Sequence, residues 1–104
     1  TDSNTEKNNG ITEKIEDGYK LVFSELNGEK YVDIVSMLVG KFYLNENIEL
    51  SSVIKANTIL GYIEILNISY YVKVDFDAKI IETSFKDLPF VQYSSRLLRL
   101  KVIN

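Results

Sequence analysis

Lys20-Leu21-Val22-Phe23-Ser24-Glu25-Leu26, then Asn27-Gly28, then Lys30-Tyr31-Val32-Asp33-Ile34-Val35, is the stretch that decides the fold. Two short runs rich in apolar residues flank an Asn-Gly dipeptide, the strongest short signal for a two-residue β-hairpin. Asn and Gly are favoured there because both central positions of that turn require φ > 0. The same grain continues through apolar runs at 39–44, 59–68, 70–74, 79–85 and 96–103, built mostly from Ile, Val, Tyr and Phe. The single proline, Pro89, falls between runs, where a missing N–H costs nothing. Apart from a weak trace at 11–15, no helical period lasts beyond two turns. The spacing predicts an all-β domain.

Its size allows one such domain: 104 residues, 45% hydrophobic and 26% charged, are enough for one modest core. The chain has no cysteine and no histidine. That removes disulfides, thiolate nucleophiles, the commonest metal ligands and the commonest general base. A Ser-His-Asp or Cys-His triad cannot be built. The residues therefore point away from an enzyme, and no catalytic, metal or cofactor-binding residue is assigned. No apolar run approaches the ~20 residues of a membrane helix, and the polar start does not read as a signal peptide. Without cysteine to indicate an oxidising compartment, the expected home is cytoplasmic.

Charge divides the chain. Residues 1–18 carry Asp2, Glu6, Glu13, Glu16 and Asp17 against Lys7 and Lys14, which accounts for the whole net charge of −3. They read as an acidic, flexible tail ahead of a β domain at 19–104. The neutral body has no basic stripe with which to release counterions, so nucleic acid is not expected as a partner. Arg96, Arg99 and Lys101 read as the solvated face of a strand rather than a phosphate site. Asp75 and Asp77, two apart on an expected strand, read as surface charge.

A shift of 38 residues lays Gly40-Lys41-Phe42-Tyr43 on Ala78-Lys79-Ile80-Ile81 and makes identities of Lys41/Lys79, Leu50/Leu88, Val53/Val91 and Leu60/Leu98. Two such units predict a flattened barrel, a barrel-sandwich hybrid of two four-stranded antiparallel sheets about a pseudo-two-fold axis. The N-terminal hairpin then adds an extra strand over Leu21 to Leu26 that covers an edge or meets a partner. The units join at Leu66-Asn67-Ile68, which makes that tip the special point of the architecture.

Ser36-Met37-Leu38-Val39-Gly40-Lys41-Phe42-Tyr43, Val53-Ile54-Lys55-Ala56-Asn57-Thr58-Ile59 and Gly61-Tyr62-Ile63-Glu64 occur in this order. The series resembles the biotinyl/lipoyl attachment domain family, closest to the biotin carboxyl carrier protein of acetyl-CoA carboxylase. The similarity covers about residues 32–103. Where that family has Glu-Ala-Met-Lys-Met, this chain has Glu64-Ile65-Leu66-Asn67-Ile68. Asn67 thus takes the place of the modified lysine, and an amide cannot do the work of an ε-amine. Lys73 is six residues away, and strand register keeps it from the tip. Family turn glycines are replaced by Ala56, Ala78, Leu88 and Ser94, so those turns use φ < 0 or carry strain. The nine residues between Tyr43 and Val53 are too few for the protruding thumb of bacterial carriers.

The resemblance implies a non-enzymatic, biotin-free carrier-like protein. It would associate with biotin carboxylase or the carrier subunit of acetyl-CoA carboxylase, as a scaffold or negative regulator of fatty-acid synthesis. Ile65, Leu66, Asn67, Ile68 and Tyr70 are the candidate partner-binding residues, because consecutive apolar residues at a two-residue turn cannot all face inward. If a transit peptide precedes Thr1, a plastid-like organelle replaces the cytoplasm as the expected home. Two readings stand beside this one: a barrel-sandwich interaction module of a transport or other multi-subunit complex unrelated to carboxylation, and an authentic carboxylase subunit.

Overall fold

A computed structural model describes residues 12–83 and 90–103. Within them the chain forms ten strands and no helix. They are β1 (Thr12–Ile15), β2 (Tyr19–Leu26), β3 (Glu29–Ser36), β4 (Gly40–Leu44) and β5 (Val53–Ile54), followed by β6 (Gly61–Ile65), β7 (Ile68–Val72), β8 (Ala78–Thr83), β9 (Phe90–Val91) and β10 (Arg96–Val102). One sheet has the order β1-β2-β3-β10-β8-β5, the other β7-β6-β4-β9, and every pairing is antiparallel.

The opening hairpin forms as its residues dictate. β2 and β3 pair without interruption from Tyr19↔Ser36 to Leu26↔Glu29. Asn27 and Gly28 sit at φ 55° and 82°, the left-handed pair that a twist-matched two-residue turn needs. Alternation then buries Leu21, Val32 and Ile34. These meet Phe42, Leu60, Ile63, Val72, Ile80 and Leu100 in one apolar core. Strict alternation fails in β10, where the register against β3 shifts between Arg96 and Leu98. The bulge lets consecutive residues, Leu97 and Leu98, both reach zero exposure.

In the smaller sheet, β4 and β6 approach too closely for a side chain at two points. A Cβ on Gly61 would strike the Tyr43 carbonyl oxygen and the Phe42 ring, and one on Gly40 would lie 2.6 Å from the Glu64 carbonyl oxygen. Two short strands tie the halves of the chain together: β4 pairs with β9, and β8 pairs with β5.

The structure departs from the sequence reading in three places. The sheets hold six and four strands rather than four each, and they do not close into a barrel. Part of the expected loose tail is strand β1, which pairs from Thr12↔Phe23 to Ile15↔Lys20. All four of its residues are exposed, so backbone pairing rather than apolar burial holds it, and no periodicity announces it. Asp75 and Asp77 lie in a loop, because β7 stops at Val72 and the Tyr19 hydroxyl takes up both backbone groups of Lys73. Asp77 Oδ1 there accepts the Ala56 N–H at 2.9 Å and fastens the neighbouring turn. The described glycine replacements follow the reading: Ala56 and Ala78 avoid positive φ, Ser94 takes one (75°) and carries the strain, and beside Ala56 it is Asn57 that turns left-handed (69°). Residues 45–52 fold onto the body through buried Ile48. Pro89 and Leu88 lie outside the described residues, as do residues 1–11.

The charged face read from Arg96, Arg99 and Lys101 is a set of ion pairs. Arg96 and Arg99 both approach Asp33 Oδ1, at 3.7 and 3.5 Å, and Arg96 also meets Glu82. Arg99 lies over the Tyr31 ring, and Lys101 pairs with Glu29, whose carboxylate holds the ammonium charged above its ordinary range. Each cation is matched by an acid, as a solvated face requires.

Candidate functional site

The hairpin joining β6 to β7 ends at Leu66 and Asn67, between the paired residues Ile65 and Ile68. Both turn residues have positive φ, 49° and 68°. Asn67 accepts that geometry readily, as asparagine does at turns. Leu66 has no such dispensation: an L residue with a branched side chain enters the left-handed region at a cost. Its side chain is nonetheless 88% exposed, so little burial offsets the strain. An apolar side chain in water on an unfavourable backbone breaks two local rules at one residue, a combination that collects at functional sites.

Ile65, Ile68 and Tyr70 share one face of the hairpin through the pairs Ile65↔Ile68 and Ile63↔Tyr70, and they differ in depth, with Ile68 at the very tip. Ile65 and Tyr70 turn inward and pack against the core, each partly buried. Ile68 remains 54% exposed. Tyr71, rather than Tyr70, is the tyrosine that faces out. It ends a row across three strands, with Tyr62 and Tyr71 ring centroids 5.7 Å apart and Tyr43 and Tyr62 5.1 Å apart. The five residues read from the sequence therefore do not form one exposed knob. Leu66, Asn67 and Ile68 are presented, while Ile65 and Tyr70 support them.

Beside the tip runs an open groove of about 710 Å³, lined by Val39, Lys41, Glu64, Ile65, Leu66 and Phe90 among others. Val39 and Phe90 are themselves exposed, so with Leu66 they give the groove an apolar rim. Lys41 lies over the Phe90 ring at 5.3 Å and leaves Glu64, its cross-strand neighbour, without an ion pair among the described residues. Val39 and Phe90 escape a reading of the sequence because they lie far apart in the chain and only the β4–β9 pairing brings their surroundings together. No group of His, Cys, Asp or Glu that could hold a metal ion occurs among the described residues. No protein-family model matches the chain, and no curated protein matches it.

A second polar feature sits below the hairpin. The Tyr19 hydroxyl donates to the Lys73 carbonyl at 2.9 Å and accepts the Lys73 N–H at 3.2 Å. Burial raises the Tyr19 pKa above its ordinary value, the Lys73 bond opposing the shift in part. Nearby, Lys14 reaches Glu16 at 3.4 Å and Asp75 at 3.5 Å, and those carboxylates raise its pKa. This arrangement anchors the chain where it leaves β7.

Proposed function

We propose that this chain is a biotin-free, carrier-like barrel-sandwich domain that binds a subunit of acetyl-CoA carboxylase through its β6–β7 tip. It occupies a carrier's place without presenting a cofactor. The observation that carries the reading is Leu66, strained and 88% exposed, next to Asn67 at the position where the resembled family bears its lysine. The strand exchange supports it as well: β4 with β9 and β8 with β5 is a reciprocal pairing between units related by the 38-residue shift. The apolar groove beside the tip gives a partner something to enter.

The role follows from mass action. A surface that binds the carrier's partner, with no amine for biotin, withdraws that partner from productive complexes in proportion to its occupancy. The test uses purified biotin carboxylase and lysine-bearing carrier from the same organism, with binding measured by calorimetry. Wild-type protein binds one of them, and Leu66→Asp weakens binding at least about tenfold, the loss expected when a buried leucine is replaced by a charge. Covalent biotin or lipoate on the native protein, or no binding to either subunit, overturns the proposal.

A further inference from the structure

β7 is an edge strand, and among the described edges it is the long one without a charge. The edge strands β5 and β9 have two residues each, and β1 carries Glu13 and Lys14. Natural sheets blunt such edges with charge, proline or bulges, and Ile68-Ser69-Tyr70-Tyr71-Val72 has none of these. The register says which backbone groups are open. Ile65 and Ile68 close the two-residue turn as a hydrogen-bonded pair, so alternation makes Glu64↔Ser69 and Tyr62↔Tyr71 the non-hydrogen-bonded pairs. The N–H and C=O groups of Ser69 and Tyr71 therefore point away from β6. One step further along, the same edge is shut, because the Tyr19 hydroxyl occupies the Lys73 N–H and C=O.

We infer that β7 pairs with β7 of a second copy, antiparallel about a two-fold axis at Tyr70. In that register Ser69 of each copy faces Tyr71 of the other, and the four open donors and four open acceptors are used reciprocally across the junction. A longer strand would run into Tyr19, whereas the second copy's β7 begins at Ile68, opposite Val72, directly after its turn at Leu66-Asn67, which favours a second copy over an extended foreign peptide. Charge agrees with this choice. Glu64 and Lys73 have no ion pair within the described chain. The register sets Lys73 of one copy about 12 Å, Cα to Cα, from Glu64 of the other, two strand spacings across and two residues along. That is within their combined reach. This inference rests on the edge alone and is independent of any carboxylase partner.

Sedimentation equilibrium of the purified full chain from micromolar to several hundred micromolar tests it. The expected result is a reversible dimer that weakens with salt. Tyr71→Lys, a change at an exposed position that charges the edge, should leave the circular dichroism spectrum intact and abolish the dimer. Glu64→Lys and Lys73→Glu should each raise the dissociation constant about threefold at low salt, and the double reversal should restore it. A monomer throughout the range, a dimer indifferent to Tyr71→Lys, or a double reversal no better than the single ones overturns the proposal.

Discussion

Replacing Leu66 with asparagine separates what the tip costs the fold from what it offers a partner. Leu66 sits at φ 49°. For an ordinary L residue that region costs about 1–2 kcal/mol, whereas asparagine enters it far more easily. Against this stands whatever the side chain gains by packing. Full burial of a leucine contributes about 1.5–3 kcal/mol. Leu66 is 88% exposed, so the covered remainder is worth only about 0.3 kcal/mol. The relief of strain outweighs that small burial, and Leu66→Asn should stabilise the protein by about 1 kcal/mol, raising Tm by about 4–8 °C for a domain of this size. Thermal unfolding followed by circular dichroism, with urea midpoints as a second measure, reads this directly. The same variant should bind the carboxylase subunit at least about tenfold more weakly, since the removed side chain is the presented one. An unchanged or lower stability would refute the reasoning: Leu66 would then be serving the fold, and its exposure would carry no functional meaning.

Three further outcomes follow from the packing. Gly61→Ala places a methyl group against the Tyr43 carbonyl and the Phe42 ring, so β4 and β6 must part; a loss of about 1–3 kcal/mol in urea unfolding is expected. Tyr19→Phe gives the Lys73 N–H and C=O back to water at an open edge and should cost about 0.5–1.5 kcal/mol. Because burial keeps the Tyr19 hydroxyl protonated to higher pH in the folded chain, its contribution is complete below about pH 10 and falls as pH rises through the raised folded value. Urea midpoints taken across that alkaline range should therefore decline less steeply in Tyr19→Phe than in the wild type. Asp33→Asn removes the acid between Arg96 and Arg99; the expected loss is about 0.5–1 kcal/mol at low ionic strength and close to none in 1 M salt, measured by paired urea titrations.

The parts of the fold that could be read in advance are those whose signals are local. Asn27-Gly28 announces the β2–β3 hairpin because the turn chemistry stands between two short apolar-rich runs. The hairpin tip read at Leu66-Asn67-Ile68 is a two-residue turn at Leu66-Asn67. The strain at Leu66 was not legible, since a leucine gives no warning of a positive φ. β5 and β9, two residues each, are too short to leave a period, although they carry the pairing that joins the chain's halves. β1 leaves no trace because none of its side chains is buried. The bulge in β10 shows only as Arg96 and Arg99 standing three apart on one charged face, which strict alternation does not allow. The bond from Tyr19 to Lys73 spans 54 positions and is invisible to any window along the chain. Tyr70 and Tyr71 could not be told apart until the register with β6 assigned their faces.

β10 lies between β3 and β8 at the middle of the six-stranded sheet, yet it follows every other described strand in the chain. During synthesis, β3 and β8 must therefore wait with their central edges open until residues 96–102 have left the ribosome. The local hairpins β2–β3 and β6–β7 can form early, but the core they share cannot be sealed before Leu97, Leu98 and Leu100 arrive. The nascent chain passes through a stage of native-like hairpins with unpaired inner edges. At that stage, holding by a chaperone or capture by another sheet competes most directly with folding.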